Sequence, residues 1–277
     1  MEKICMRLLT VCSLILGSLF LPPAANAAVT SAHPAPHLAE SAGQAQVFTY
    51  DTTTDAGKPV QASATLYEPT APWRGKGERP TIVFGPSTRG QGDQCAPSRA
   101  GMQLGSVGLS KVGSPTINAS YEYSFYMMAL RHGARVIVAD LIGLGMPGHH
   151  TYVNHIEEAH ALLDAARSGL ELAHAPKDAP IGFAGYSQGG GASLSAAEYA
   201  ERYAPDLNVA GTYAGAPPTG WNTMSSSTMR RRRCRARRRA SSSIRWLTES
   251  IQPKHRATGT ASAQVSPRSA KIGRAHV

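Results

Sequence analysis

The sharpest chemical signal in the chain is the run Gly185-Tyr186-Ser187-Gln188-Gly189. It follows a short apolar stretch, Pro180–Ala184, and opens a segment of small residues, Gly190–Ala200, so the serine falls at a strand-to-helix turn. Glycines on both sides of Ser187 permit a sharp, strained turn with close helix–strand packing, which leaves the hydroxyl projecting alone at the top of a sheet. A serine in that setting can attack a carbonyl carbon, and the backbone N–H of Gln188 can donate to the oxyanion that forms. A second donor is expected from the loop after the third strand, Gly85–Ser98, whose glycines let backbone approach a substrate. Each well-placed donor is worth about 3 kcal/mol on the transition state.

The same chemistry needs an acid and then a histidine later in the chain. Beyond Ser187 the chain has one aspartate, Asp206, and two histidines, His255 and His276. Asp206 opens the run Leu207–Tyr213 and is expected on the surface, at the edge of the sheet opposite the serine. Glu249 and His255 lie six residues apart in one segment, too near to serve the two different loops of a triad. The triad acid and histidine therefore stay unassigned. His149, His150, His155 and His160 have no cysteine or carboxylate completing a ligand set, and they read as surface or loop histidines with no metal. The spacing Gly143-Leu144-Gly145-Met146-Pro147-Gly148 matches a dinucleotide-binding pattern. However, Pro147 removes a backbone donor that a phosphate would use, and the next helix starts several residues later, so no cofactor is expected.

The elements that would position the serine alternate between strand and helix. Ala45–Thr52 and Val60–Pro69 alternate apolar and polar side chains, which suits an antiparallel pair at a sheet edge. Thr81–Phe84, Ala134–Ala139, Pro180–Ala184 and Leu207–Tyr213 are nearly continuous apolar runs, as in parallel strands covered on both faces. Helices are expected over Ala119–His132, Ile156–Leu172 and Gly189–Tyr203. In the second, Ile156, Ala159, Leu163, Ala166 and Leu170 form one apolar stripe. The implied architecture is an α/β layered sheet with its ligands at the carboxyl ends of the strands.

Charge divides the 277 residues unevenly. Residues 225–277 hold 14 Lys and Arg against the single acid Glu249, a net +13, whereas residues 1–224 hold 14 against 17 acids, a net −3. The formal +10 thus belongs to a tail, and it gives the rest of the chain no reason to bind nucleic acid. The tail, with Arg230–Arg233 and Arg235–Arg239, cannot bury a core. It reads as a basic low-complexity segment, either disordered or translated out of frame. At the other end Lys3 and Arg7 precede the apolar run Leu8–Leu21, two prolines and Ala25-Asn26-Ala27, the pattern of an export signal over residues 1–27. Cys5 and Cys12 would leave with that signal. Cys95 and Cys234 would then either pair with each other, or the partner of Cys95 lies outside this chain.

Four motifs in matching order carry a family resemblance: the Gly85–Ser98 loop with Asp93-Gln94-Cys95-Ala96-Pro97-Ser98, the segment Ala139–Gly148, the Gly185–Gly189 turn, and Gly215-Ala216-Pro217-Pro218. From about Ala45 to Gly220 the chain resembles the secretory lipase family of α/β hydrolases. The resemblance implies an α/β-hydrolase fold, a mostly parallel sheet flanked by helices, here truncated on its C-terminal side within residues 28–224. It implies a secreted carboxylic-ester hydrolase acting on lipid esters without a cofactor or nucleic acid, in transient contact with a lipid interface, its oligomeric state unassigned. Ser187 would be the nucleophile, Gln188 one oxyanion donor and Gln94, just before the cysteine, the other. Members with an aspartate immediately before that cysteine differ from this chain, where Asp93 lies one place earlier. A short-chain esterase or acyltransferase of the same fold, or a non-catalytic binding protein with a basic arm, are the alternative readings. Without a triad acid and histidine the literal polypeptide is expected to be nearly inactive. It is also expected to fold poorly, since a sheet cut after four parallel strands leaves an apolar edge uncovered.

Overall fold

The computed structural model describes residues 27–35, 42–100, 105–109, 113 and 115–218. The segment expected as an export signal, as far as residue 26, together with Cys234, Glu249, His255, His276 and the basic tail over 225–277, lies outside the described residues.

Apolar residues that alternate between two buried faces build the centre of the sheet. In β4 (Thr81–Gly85) and β7 (Arg135–Ala139) every residue is buried. Ile82, Phe84, Val136 and Val138 point to one layer, Val83 and Ile137 to the other. The loop after β4 runs into a single helical turn, α1 (Pro97–Ala100). On the first face the strands meet α2 (Tyr123–Arg131) through Tyr126 and Leu130, with the Phe84 and Tyr126 rings edge to face at 4.7 Å. On the second face α3 (His155–Leu172) and α4 (Gln188–Tyr203) supply Leu162, Leu163, Ala192 and Ala196 against Phe48, Tyr50 and Phe183. Strands covered this way must be apolar on both sides, which is why their sequences run as continuous hydrophobic stretches.

The seven strands lie in the order β1-β2-β3-β7-β4-β8-β9, where β1 is Val29–Pro34, β2 Ala42–Thr53, β3 Pro59–Pro69, β8 Ile181–Tyr186 and β9 Val209–Gly215. The pairs β1/β2, β2/β3 and β3/β7 are antiparallel; β7/β4, β4/β8 and β8/β9 are parallel. A mostly parallel sheet with helices on both faces is thus confirmed, with three differences in detail. The β2–β3 pair is not the sheet edge, because β1 adds outside it; the residues of β1 are almost all exposed, so it carries no apolar alternation to read. A separate hairpin, β5 (Gly105–Leu109) with β6 (Pro115–Ala119), occupies a stretch without strand patterning, and β6 takes Ala119 from the expected helix, which starts at Tyr123. Finally, α3 is buried around nearly its whole circumference rather than along one stripe, and Ile156 is among its less buried residues. Small residues such as Ala161 and Ala165 let sheet and α4 close on it from two sides, while its buried polar groups find partners.

The register brings the two reactive loops together. Gly85 at the carboxyl end of β4 pairs with Gly185 at that of β8, so the loop after β4 and the turn after β8 leave the sheet side by side. Three glycines then open α4, each facing a different neighbour. A Cβ on Gly189 would fall on the Gly85 carbonyl, one on Gly190 on the Gly215 carbonyl, and one on Gly191 on the His155 ring. Glycine costs a helix about 1 kcal/mol per residue against alanine, and here the close approach of β4, β9 and α3 demands it. Gly189→Ala is expected to destabilise the protein by about 1–3 kcal/mol or more, since the obstacle is backbone that cannot swing away; a urea denaturation midpoint equal to that of the parent would contradict this.

Candidate active site

Ser187 holds the conformation that its flanking glycines allow. Its φ of 54° and ψ of −120° lie in a region that L-residues rarely occupy, at a cost of order 1–3 kcal/mol. The neighbouring backbone holds it there. Ser187 N donates to Gly215 O at 2.8 Å, and Gly191 N donates to Ser187 O at 3.0 Å. The residue is half-buried, and no hydrogen bond to its hydroxyl is made among the described residues. It sits at the N-terminus of α4, whose first N–H groups have no intrahelical partner and where the helix dipole favours negative charge. Gln188, next to it, is the first residue of that helix and is 2% exposed. Its side-chain Nε2 lies 2.7 Å from His150 Nε2 and 2.8 Å from Glu158 Oε1.

The loop after β4 is fixed by a buried ion pair. Arg89 and Glu122, with side chains 1% and 2% exposed, meet at 3.3 Å. Glu122 also accepts from Ser87 N at 2.6 Å and faces the Tyr126 hydroxyl at 3.5 Å, while Arg89 donates to Ser120 Oγ at 3.2 Å. Ser87 joins this loop to the turn directly, its hydroxyl donating to Tyr186 O at 3.0 Å. Gln94 lies further along, in a 3-10 turn over Asp93–Cys95, half-buried with its side chain over Gly92. That turn closes on itself, Cys95 N donating to Gly92 O at 2.8 Å.

Asp140 couples this loop to the segment after β7. Its carboxylate is fully buried, accepting from Ser63 Oγ at 2.6 Å and from Ser98 N at 2.8 Å. Burial pushes its pKa up to about 6, against the opposing pull of those hydrogen bonds. Gly145, with φ +72°, brings the Ala139–Gly148 segment against Ala96. Positive φ also at Gly143 and Gly148 makes this a compact loop, and the helix after it begins only at His155.

Asp206 stands where the sequence places it. The strand pairing sets Val209 beside Ile181 at the amino end of β8, whereas Gly215 lies beside Tyr186 at the end that carries Ser187. Asp206 precedes the amino end, exposed in a bidentate pair in which Arg167 Nε and Nη2 donate to its two oxygens at 2.9 and 2.5 Å, and the guanidinium lowers its pKa. The histidine expectation needs correction at two positions. His150 and His160 are buried, 6% and 8% exposed, not surface residues. His150 is spent between Ile142 O, 3.0 Å from its Nδ1, and Gln188; His160 stacks on Tyr203 at 4.0 Å and contacts Thr53. Local spacing conceals both, His150 in its loop and His160 within α3, because each is recruited by a partner at least eight residues away in sequence. Tyr186, Tyr213 and Phe125 are large exposed aromatics, the last two with ring centroids 6.5 Å apart.

A strand, a left-handed serine, a helix N-terminus and a second loop at the same end of a mostly parallel sheet define an α/β-hydrolase fold. Residues 109–228 match the model of the family described as secretory lipase, and the chain is similar to that family. Lipase A of Moesziomyces aphidis is 32% identical over 90 residues, which make up 32% of this chain and 19% of that protein. Two X-ray structures of Candida antarctica lipase A, one in its closed state, superpose with TM-scores of 0.54 and 0.53 at 23% identity, over 67% of this chain and 41% of theirs. The chain therefore spans about two-fifths of the length of those structures and a smaller part of the curated relative.

Two outcomes are expected from the buried charges. Glu122→Gln leaves Arg89 buried without its counter-charge, which costs about 3–5 kcal/mol, and the urea midpoint should fall accordingly. For Asp140 the folded pKa, about 6, lies above the ordinary 3.8. Its contribution to stability is complete below pH 3.8 and is lost as pH rises through 6, a difference of about 3 kcal/mol. Asp164, buried and likewise raised to about 6, acts with the same sign. His160, whose pKa is lowered by burial, acts with the opposite sign, so the Asp140 contribution is read as a difference: Asp140→Asn, which keeps an acceptor for Ser98 N, should lose less unfolding free energy than the parent as pH rises from about 4 to about 7. An unchanged slope in pH-dependent chemical denaturation would refute the assignment.

Proposed function

We propose that the protein is the N-terminal part of a secreted serine ester hydrolase that cleaves carboxylic esters, lipid esters foremost. The observation that carries this reading is the left-handed Ser187 at the carboxyl end of β8, immediately before the N-terminus of α4. The hydroxyl attacks the ester carbonyl, the alcohol leaves and an acyl-enzyme forms, which water hydrolyses. The negative charge that develops on the carbonyl oxygen is met by the Gln188 N–H and the α4 dipole. Gln94 is assigned as the second donor on the family resemblance. Tyr186, next to the serine in sequence, is exposed and offers an aromatic surface on which an acyl chain can lie. No metal or cofactor enters the reaction, and the apolar segment Leu8–Leu21 directs export.

The histidine that takes the Ser187 proton and the acid that orients it are assigned to a continuation of the fold that residues 225–277 do not supply. On this reading the 277-residue polypeptide is nearly inactive, keeping only the residual enhancement that oxyanion donors and binding give without a triad histidine. The deciding experiment reads the gene from the Gly215 codon in all three frames and expresses the protein that each frame encodes. A frame with strand–helix patterning, an Asp and then a His should yield an enzyme whose p-nitrophenyl ester hydrolysis falls about a millionfold in Ser187→Ala, the scale seen when a triad nucleophile is removed. Hydrolysis by the 277-residue chain that Ser187→Ala abolishes would overturn the assignment of the triad. Hydrolysis indifferent to Ser187 would overturn the serine mechanism.

A further inference from the structure

We infer that His150 and Glu158 are positioning residues, which hold the turn at Ser187 by gripping the side chain of Gln188, and that His150 does so as the neutral imidazole protonated on Nδ1. The catalytic meaning of this grip rests on the oxyanion role given to the Gln188 N–H above; the grip itself does not.

The donor and acceptor inventory leaves one consistent arrangement. An amide nitrogen only donates, so His150 Nε2, 2.7 Å from Gln188 Nε2, must accept and carries no proton. Ile142 O, 3.0 Å from His150 Nδ1, only accepts, so the proton resides on Nδ1. The second hydrogen of the Gln188 amide goes to Glu158 Oε1 at 2.8 Å. Turning the amide over would set its oxygen against the carboxylate, acceptor on acceptor. The other Glu158 oxygen lies 3.0 Å from His155 Nδ1, and the His155 ring stands against Gly191. His150 also has the Tyr152 ring beside it at 6.4 Å. Gln188, His150 and Glu158 are 2%, 6% and 2% exposed, so every one of these polar groups is dry and each bond is costly to lose.

The grip matters because no other side chain in the first turn of α4 can provide it. From Gly189 to Gly191 the first turn of α4 has no side chains. Gln188 is therefore the one side chain between Ser187 and Ala192 that can fasten the turn to other elements. It is bound to two of them: the 139–150 segment through His150, and the first turn of α3 through Glu158. Fixing that side chain fixes the rotation of residue 188 and hence the direction of its backbone N–H. A dry, fully paired amide is a stiff anchor for a backbone that Ser187 holds in an unfavourable conformation.

The full chain with 15N-labelled histidine tests the arrangement in long-range 1H–15N spectra at neutral pH. His150 is expected as the Nδ1–H tautomer, and Gln188→Met, of similar length but without a donor, should shift its Nε2 resonance. A charged or Nε2-protonated His150 overturns the inference. Hydrogen exchange of the Gly191 amide, which donates to Ser187 O, reports the turn. It should quicken about tenfold or more in His150→Phe and return in His150→Gln, whose amide oxygen can accept from Gln188; exchange unchanged in His150→Phe overturns the inference. In a Ser187-dependent enzyme, His150→Phe should lower kcat about tenfold to a hundredfold with KM unchanged, and a change confined to KM would count against positioning. If no Ser187-dependent turnover exists, the proposed function fails, and the spectra and exchange rates still decide the grip.

Discussion

Within a single residue the chain must end a buried parallel strand and begin a helix, and Ser187 meets that demand with φ of 54° and ψ of −120°. Such a conformation persists only where the surroundings over-determine it. Here they do so from three sides. The Gly215 carbonyl receives the Ser187 N–H, the Ser187 carbonyl receives the Gly191 N–H, and the Gly185 and Gly189 backbones press so closely on each other and on Gly85 that no side chain fits between them. The sequence of small residues around the serine is the steric consequence of this one turn. The hydroxyl emerges from it at the sheet end where the helix dipole is positive.

A second layer of constraint comes from buried charge. Glu122 with Arg89, and Asp140 with Ser63 and Ser98, each tie a loop to a strand or helix that the hydrophobic core has already placed. Burying these groups is unfavourable in itself, as the raised pKa of Asp140 records. What they add is directional: hydrophobic contacts would allow the loop after β4 to slide, whereas the carboxylates accept from particular N–H groups, Ser87 and Ser98. The loops beside Ser187 are thereby held by bonds that break if their backbone turns over.

Much of this could be read from residue order, and the limit of legibility has a physical origin. Continuous apolar runs at Thr81 and Ala134 announce parallel strands, because a strand covered on both faces has no polar side to show; the run at Leu207 also forms a parallel strand, but β9 is only half-buried, with Tyr213 exposed. The turn at Ser187 is legible because strand, glycine, serine, glycine and helix are local. By contrast, β1 is almost wholly exposed and gives no periodic signal. His150 looks like one of a scatter of loop histidines until the fold brings Gln188, 38 residues later, against its ring. Glu158 and Glu122 likewise take partners distant in sequence, Gln188 and Arg89. Local pattern reports local geometry; partners chosen across the fold have no spacing to reveal them.

The four sequence motifs that carry the resemblance to secretory lipases have a common physical basis, since in space they form one connected cluster. Gly85, which begins the first motif, pairs with Gly185 and packs on Gly189 of the third. Asp140 of the second accepts from Ser98, the last residue of the first, and Gly145 lies against Ala96. Gly215, which begins the fourth, accepts the Ser187 N–H, pairs with Tyr186 and packs on Gly190. Their order along the chain follows from the order in which β4, β7, β8 and β9 deliver their carboxyl ends to one edge of the sheet. Asp206, which precedes β9, is by the same polarity carried to the other end.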